Sequence, residues 1–354
     1  ILAVSRPLAL EPSPMALHVR PCTRFLFRPL GLPALILFLV CSLLVSSDGR
    51  AADGDSATAA PAVEELRLET SEGIRIAAWY YPAPAEAKAS ATVILVHDLE
   101  GSHKTVDHLA RSLQRAGCAV VTPDLRGHGA STRTGQPGGG PGGKGDVLEP
   151  RMLKKTDLES IAAATGGRLR DQCTVSGEIE AVRNWIKRQS DTGTLDIDRL
   201  CVVGCGLGAT LASLWSVADW NWPPTTAGPQ GRQVRALALV SPIWASKGIS
   251  MSLPLTSEAL QHEIPVMLLA GKSDRDAIRL FDQLKRLRPD AWFQQRIDQP
   301  PEKAKALDDP AKGTVFFIQA DTSLAGDKLA NDPSMNVADQ INTFFSLVLA
   351  RPRE

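Results

Sequence analysis

The 354-residue sequence lacks an excess of charge of either sign, because 39 lysines and arginines stand against 39 aspartates and glutamates. A chain balanced in this way produces no long-range field that would recruit nucleic acid or an anionic membrane. We therefore expect no nucleic-acid partner. Any partner must be recognised by local chemistry instead.

Cysteine is also scarce, with six residues in the whole sequence. The four that follow the N-terminal segment are Cys118, Cys173, Cys201 and Cys205. Four cysteines in a domain of this size do not make a disulfide scaffold. Cys201 and Cys205 cannot bond each other if both lie on one extended strand, because four residues span roughly 13 Å there. We expect buried thiols that act as small hydrophobic groups.

The N-terminal segment has the pattern of an export signal. Arg20, Arg24 and Arg28 precede an apolar run from Leu30 to Val45, and a polar stretch follows. The run is a little short for a spanning helix of about 20 residues. Residues 1–51 are therefore predicted to be either a cleaved export signal or a retained membrane anchor, and residues 52–63 a tether. Either alternative places the protein outside the cytoplasm, in the periplasm or the extracellular space, with a possible membrane tether through residues 30–45.

From residue 64 onward, short apolar runs alternate with amphipathic segments. An opening hairpin is predicted at 65–69 and 74–81. Buried strands are then predicted at 91–97, 119–124, 200–203, 234–241, 265–270 and 314–319. Apolar residues at helical spacing between these runs predict helices on both faces of a mostly parallel sheet. The fold class is α/β, with eight strands in one domain spanning residues 64–351.

Two stretches between the predicted strands bear on access to any site. Only about two dozen residues separate the strands at 234–241 and 265–270, which leaves no room for a large lid domain. Residues 132–156 are rich in glycine and proline and are predicted to form a mobile loop.

The most informative motif follows the apolar strand at 200–203. Gly204-Cys205-Gly206-Leu207-Gly208 turns sharply into a helix of small residues. This is the context of the G-x-S-x-G nucleophile elbow, in which a serine occupies the third position. Gly204 and Gly208 supply the small residues that such a turn needs, whereas Gly206 has no hydroxyl with which to attack a carbonyl.

Together with two further motifs, the chain from about residue 64 to 351 resembles the α/β-hydrolase superfamily. The similarity is nearest to its lidless esterase and serine-aminopeptidase-like members. Residues 93–101 resemble the strand and the H-G-x-G turn of that superfamily, and residues 124–131 match its D-x-R-G-H-G-x-S turn. Asp274, directly after a strand, stands at the position of the family's catalytic acid.

The resemblance implies a catalytic triad that is not intact. The positions that correspond to nucleophile, acid and base are Gly206, Asp274 and Ala325. None of the six histidines follows Asp274, so a shift of register does not supply the base. The oxyanion-hole positions are the backbone amides of Leu99 and Leu207, flanked by Asp98 and Glu100 where the family has glycines. A carboxylate there would oppose the negative charge that develops in acyl transfer.

Several alternative interpretations concern the same residues. The segment 204–209 also matches the dinucleotide-binding pattern G-x-G-x-x-A, but it follows the fifth strand and does not lie in the first βαβ unit, so we expect no dinucleotide there. We also expect no other cofactor and no metal. Cys205 is interpreted as a packed cysteine, and Asp274 as a helix cap. His97 and His128 are expected to stabilise turns through hydrogen bonds. Tryptophans at 215, 220 and 222 are interpreted as core packing and a loop edge.

These observations predict an exported protein of the α/β-hydrolase fold that has lost its Ser/His pair and works as a binding or scaffold protein. Its partner would be an unidentified small molecule or peptide in the cleft. The alternative is an active hydrolase of ester or peptide substrates with an unconventional nucleophile. For that role the candidates are Cys205, Ser102 and Ser323, served by His97 or His128.

Overall fold

The computed structural model describes residues 60–84, 89–132, 148–165, 168–169, 177–223, 226, 230–297 and 313–352. The predicted export signal or anchor, and all but the last four residues of the predicted tether, lie outside these ranges. Across the described ranges, none of the helices combines the length and the apolar character that a membrane span needs.

One large sheet carries the fold, accompanied by two short hairpins. The strands in chain order are β1 (Glu64–Glu69), β2 (Arg75–Tyr81), β3 (Thr92–Val96), β4 (Ala119–Pro123), β5 (Ala164–Thr165), β6 (Arg168–Leu169), β7 (Leu200–Cys205), β8 (Ala236–Val240), β9 (Ala245–Ser246), β10 (Ile249–Ser250), β11 (Val266–Gly271), β12 (Trp292–Arg296) and β13 (Val315–Ala320). The main sheet has the order β1-β2-β4-β3-β7-β8-β11-β13-β12. Strand β2 runs antiparallel to both neighbours, and the pairs from β4 to β12 are parallel.

The predicted fold class is confirmed, and the main sheet has nine strands where eight are expected. The additional strand is β12, which pairs with β13 at the edge of the sheet. Its sequence, Trp-Phe-Gln-Gln-Arg, has no continuous apolar run, and every one of its residues is only half-buried. An edge strand covered on one side lacks the buried-strand pattern from which the other parallel strands are predicted.

Helices cover both faces of the sheet, and the two faces bury separate apolar cores. The helices are α1 (Asp107–Arg115), α2 (Lys155–Ile161), α3 (Glu178–Asp191), α4 (Leu207–Trp220), α5 (Arg275–Leu287), α6 (Gly326–Ala330) and α7 (Val337–Leu349). Helices α2 to α5 contribute to one core, and α1, α6 and α7 to the other. Within β3, Ile94 and Val96 face the first core while Val93 and Leu95 face the second, as the two-residue period of a strand requires.

The prediction of a mobile loop over residues 132–156 is wrong for its last part. Residues 133–147 lie outside the described ranges, but Pro150–Met152 forms a 3₁₀ helix and α2 begins at Lys155. Leu153 is buried in the core, and the Lys247 ammonium group donates hydrogen bonds to the carbonyl oxygens of Pro150 and Arg151 at 3.0 and 3.2 Å. Burial of an apolar side chain fixes this segment despite the glycines and prolines before it.

The expected absence of a large lid is confirmed for the described residues. Between β8 and β11 the chain forms only the β9–β10 hairpin, a 3₁₀ helix at Pro254–Thr256 and a π-helical turn at Ala259–Glu263. No domain inserted between β8 and β11 therefore covers the carboxyl ends of β7, β8 and β11 in the part of the chain that the structure describes.

The core and the edge of this sheet should differ in their tolerance of substitution. Phe317→Ala removes a fully buried ring that lies 4.7 Å from the Phe281 ring, and we expect a loss of about 3–5 kcal/mol in the free energy of unfolding. The matched change Phe293→Ala on the half-buried edge strand should cost only about 1 kcal/mol. Urea unfolding of both variants measures the difference, and equal losses would contradict this description of the core.

Candidate functional site

The turn from β7 into α4 has the geometry that the sequence motif predicts. Gly206 adopts φ 56° and ψ −121° as the residue before the helix, a conformation that side chains rarely tolerate. A Cβ on Gly208 would lie 2.2 Å from the carbonyl oxygen of His97, and one on Gly204 would lie 2.5 Å from the Cα of Ala209. Strand and helix thus approach each other closely enough that only glycine fits at these positions.

The carboxylate of Asp98 lies directly over this turn. Its Oδ1 atom accepts a hydrogen bond from the backbone N–H of Leu99 at 2.7 Å and a second from the N–H of Leu207, also at 2.7 Å. The two amides therefore converge on one oxygen atom. That atom belongs to the protein itself.

Two glycines make room for this carboxylate. A Cβ built on Gly206 would lie 2.0 Å from Cγ of Asp98, and a Cβ built on Gly326 would lie 2.2 Å from Oδ2. Both distances are far inside van der Waals contact. Gly326 has φ 54°, in the same left-handed region as Gly206. The Asp98 carboxylate therefore fills the volume that any side chain at position 206 would need.

Burial raises the pKa of Asp98, whereas the hydrogen bonds from Leu207 and Leu99 act in the opposite direction by favouring the ionised form. The charge of Glu100 adds to the rise. Glu100 itself is exposed and adopts φ 65°. The sequence analysis places both carboxylates beside the two amides. The structure shows that Asp98 is the one bound there.

A second carboxylate, which the sequence analysis does not identify, supports the first. Asp327 on α6 accepts a hydrogen bond from the backbone N–H of Asp98 at 2.9 Å and contacts the Thr105 hydroxyl. Burial raises the pKa of Asp327 to about 6, opposed by the hydrogen bonds from Thr105 and Asp98, and the charge of Asp98 raises it further. The only sequence signal is its position two residues after Ala325.

Both ring nitrogens of each of two histidines near the turn, His97 and His128, form hydrogen bonds with backbone groups. Nδ1 of His97 lies 2.7 Å from the Asp98 carbonyl oxygen and its Nε2 accepts from the Leu125 N–H at 3.2 Å. Nδ1 of His128 lies 3.0 Å from the Arg126 carbonyl oxygen and its Nε2 accepts from the Glu100 N–H at 3.2 Å. Burial lowers the pKa of His97 to about 4 and also lowers that of His128. The predicted turn-stabilising role is confirmed, and both rings are held neutral.

The other predicted site residues do not form a hydrogen-bonded nucleophile, base and acid in the described part of the chain. Cys205 is fully buried, and burial raises the pKa of its thiol well above the usual range, so the prediction of a packed cysteine is confirmed. Asp274 caps α5 by accepting from the Ala277 N–H at 3.0 Å, as expected. Ser102 caps the 3₁₀ helix at His103–Thr105. Ala325 is exposed, directly before Gly326.

A cleft of about 440 Å³ opens beside Ala325 at the ends of β8, β11 and β13. Its lining includes Ser241, Ile243, Asp274, Ser323, Leu324 and Ala325. In the part of the chain that the structure describes, no group of three histidine, cysteine or acidic side chains is arranged to hold a metal ion.

Of the three tryptophans that the sequence analysis interprets as packing residues, Trp215 is fully buried, and its indole N–H donates a hydrogen bond to the Glu180 carboxyl group at 3.1 Å. The indole N–H of Trp220 donates to the Val234 carbonyl oxygen at 2.9 Å. The interpretation as core packing holds for Trp215. Trp220 and Trp222 pack against the core from its edge.

Comparison with known proteins agrees with the fold that the structure shows. The model of the alpha/beta hydrolase family matches residues 93–349. The chain belongs to this family. An esterase of Pyrobaculum calidifontis is similar in structure, with a TM-score of 0.52, 14% sequence identity and coverage of 82% of this chain and 88% of that one.

An esterase of the fungus Rhizomucor miehei has the same TM-score of 0.52, with 12% identity over 83% of this chain and 85% of its own. At such identities, the likeness establishes the fold alone. No curated protein matches the chain. In this alpha/beta hydrolase, the Asp98 carboxylate therefore lies against the elbow turn of the family fold.

The raised pKa of Asp327 predicts how stability depends on pH. In the folded protein the carboxyl group of Asp327 keeps its proton up to about pH 6, whereas an ordinary aspartate has a pKa of 3.8. Protonation of Asp327 therefore contributes its full stabilisation of the fold below pH 4. That stabilisation is lost as the pH rises through 6. The shift corresponds to about 3 kcal/mol. We expect the unfolding free energy of the wild type minus that of Asp327→Asn to fall by roughly this amount as the pH rises from 4 to 7.

Asp321→Asn serves as the control, because Asp321 is exposed and its ion pair with Lys272 lowers its pKa. The difference between wild type and this variant should stay flat between pH 4 and pH 7. A flat difference for Asp327→Asn as well, measured by urea unfolding, would show that folding does not raise the pKa of Asp327.

Proposed function

We propose that this alpha/beta hydrolase is an exported, non-catalytic binding or scaffold protein whose Ser/His pair has been lost. The observation that carries the proposal is the Asp98 carboxylate, which accepts hydrogen bonds from the amides of Leu99 and Leu207. We assign these amides to the oxyanion hole of the ancestral enzyme. The Asp98 side chain now occupies both N–H donors.

Acyl transfer needs a nucleophile, a base and donors that stabilise the developing oxyanion. Gly206 offers no nucleophile, and Ala325 offers no base. The ring nitrogens of His97 and His128 are held by backbone groups. A fixed carboxylate beside the reacting carbonyl would also repel the oxyanion. For unit charges 4 Å apart at an effective dielectric of 20, that repulsion is about 4 kcal/mol.

A binding role is supported by what the fold retains. The cleft beside Ala325 lies at the carboxyl ends of parallel strands, where ligands bind in open α/β sheets, and in the described residues it is not closed by a lid. The export part of the proposal rests on the basic and apolar pattern of residues 20–45 alone. The names of the similar structures describe esterases, and that activity is not carried over to this chain.

The direct test is covalent labelling of the purified full chain. We expect no labelling by a fluorophosphonate probe and no turnover of p-nitrophenyl acetate above the buffer rate. An active esterase treated in parallel checks the reagents. Labelling of Ser102 or Ser323, or turnover abolished by alkylation of Cys205, would instead support the rival interpretation of a hydrolase with an unconventional nucleophile.

Restoring the triad should require removal of the carboxylate. Gly206→Ser combined with Ala325→His should stay inactive, because the new Cβ at 206 would lie 2.0 Å from the Asp98 Cγ. Adding Asp98→Gly frees both amides and the space. We expect the triple variant to hydrolyse p-nitrophenyl acetate at least about 100-fold faster than the double variant, the usual contribution of an oxyanion hole.

The control is Glu100→Gly in place of Asp98→Gly, because Glu100 is the exposed neighbouring carboxylate. It should not activate the double variant. Equal activity of the double and triple variants would show that Asp98 does not block the site.

A further inference from the structure

The loop of residues 98–105, which joins β3 to α1, contacts one carboxyl group at both of its ends. Oδ1 of Asp327 accepts from the N–H of Asp98 at 2.9 Å, and Oδ2 contacts the hydroxyl of Thr105. A Cβ built on Gly101, in the middle of the loop, would lie 2.3 Å from the same Oδ2 atom. The loop therefore packs directly against a carboxyl group that is only 9% exposed.

The hydroxyl group of Thr105 is in contact with more acceptors than its one proton can bind. Its Oγ1 atom accepts from the Ser102 N–H at 3.0 Å and lies 2.8 Å from the Ser102 carbonyl oxygen, in addition to the contact with Asp327. A hydroxyl group donates one hydrogen bond and accepts up to two, whereas an ionised carboxylate only accepts. The number of hydrogen bonds in the loop therefore depends on whether Asp327 carries a proton.

When Asp327 is protonated, all three contacts of the Thr105 hydroxyl can be hydrogen bonds. The carboxyl O–H of Asp327 then donates to Thr105 Oγ1, and the Thr105 hydroxyl donates to the carbonyl oxygen of Ser102. When Asp327 is ionised, the carboxylate takes the hydroxyl proton, and the Ser102 carbonyl oxygen keeps only the bond from the Thr105 N–H at 3.0 Å. Ionisation of Asp327 therefore removes one hydrogen bond from the turn at residues 102–105.

The surroundings of Asp327 favour its protonated form. Burial raises the pKa of Asp327 to about 6, hydrogen bonds from Thr105, from the Asp98 N–H and from the Cys205 thiol oppose the rise, and the charge of Asp98 adds to it. The other ionisable side chains on the loop and on α6 are Glu100, His103, Lys104 and Lys328. Within the described ranges, none of them forms an ion pair with Asp327, so no cation there compensates the charge that ionisation creates.

We propose that Asp327 is a proton-dependent latch on the loop of residues 98–105. With its carboxyl group protonated, Asp327 holds the loop closed. As the pH rises and the group ionises, the turn loses a hydrogen bond and the loop opens more often. Because the loop carries Asp98 and Leu99, the latch also determines how firmly the Asp98 side chain is held on its two amides. This device goes beyond the proposed function and does not depend on a loss of esterase activity.

Hydrogen exchange of the full chain, followed by NMR between pH 4 and pH 7, measures how often the loop opens. The amides to follow are those of Gly101, Ser102 and Thr105, whose hydrogen bonds lie within the loop. After correction for the intrinsic exchange rate at each pH, the protection of these amides should fall more than about tenfold as the pH rises, because each unit of pKa shift corresponds to a factor of ten.

Asp327→Asn should keep the loop closed at every pH, because an asparagine accepts from the Asp98 N–H and donates to the Thr105 hydroxyl as a protonated aspartate does. At pH 7 its loop amides should retain the protection that the wild type has at pH 4. Asp321→Asn is the matched control, since Asp321 is exposed and paired with Lys272. This control should lose protection with rising pH as the wild type does.

Two substitutions of Thr105 test the part played by its hydroxyl group. Thr105→Ser keeps the hydroxyl and should keep the pH dependence of the wild type. Thr105→Val removes the hydroxyl with little change of shape, and its loop amides should be poorly protected at pH 4 and at pH 7 alike. A pH dependence of wild-type size in Thr105→Val would overturn the latch.

The latch is also wrong if the wild-type loop is equally protected at pH 4 and pH 7, or if the pH dependence persists in Asp327→Asn, the result expected when Asp98 is the group that titrates. The amide of Gly117, which donates to the Gln114 carbonyl oxygen at 2.9 Å beyond the end of α1, is the internal reference. An equal loss of protection there would indicate opening of the whole protein and would contradict a local latch. Turnover of p-nitrophenyl acetate would overturn the proposed function and leave this inference in place.

Discussion

The structure of this site depends on one carboxylate oxygen shared by two backbone amides. Oδ1 of Asp98 joins the turn after β3 to the first residue of α4, because it accepts from both Leu99 and Leu207 at 2.7 Å. The N–H of Asp98 donates to Asp327 on α6. Hydrogen bonds thus join the turn after β3 to the first residue of α4 and to α6, three segments that are distant in sequence. Bonds of amides to an ionised group are stronger than those between neutral groups, and Gly206 and Gly326 leave the space that this arrangement needs.

Under the function proposed above, the same arrangement accounts for a fold that persists without acyl-transfer chemistry. In a working serine hydrolase, the donors are preorganised and unoccupied, and they are used when charge develops in the transition state. Here an oxygen of the Asp98 side chain already accepts from both of those donors. The two glycines and the neutral, backbone-bound rings of His97 and His128 stabilise this state. Within the described residues, the neighbouring cleft beside Ala325 remains open to a ligand.

Sequence patterns predict most of the fold and part of the site. Apolar runs identify six of the eight predicted strands because burial on both faces requires them, alternation identifies the two strands of the opening hairpin, and the small residues of the elbow identify the turn at Gly206. The edge strand β12 and the ordered segment at 148–156 are not predicted, since the strand is only half-buried and the segment is held by tertiary contacts, the burial of Leu153 and hydrogen bonds from Lys247. The meeting of Asp98, Leu207 and Asp327 is a tertiary event among residues more than 100 positions apart. Local sequence patterns therefore do not predict that the Asp98 side chain binds the two amides or that Asp327 binds the N–H of Asp98.

The central claim concerns the two amides, so the most direct measurement observes them. Amide proton shifts of Leu99 and Leu207 can be followed by NMR in the wild type and in Asp98→Ala. A carboxylate bound at 2.7 Å should place both protons far downfield, and both should move upfield together when Asp98 is replaced. If only one proton responds, or if neither differs between the two proteins, Asp98 does not occupy the two donors and the account of a self-filled site is wrong.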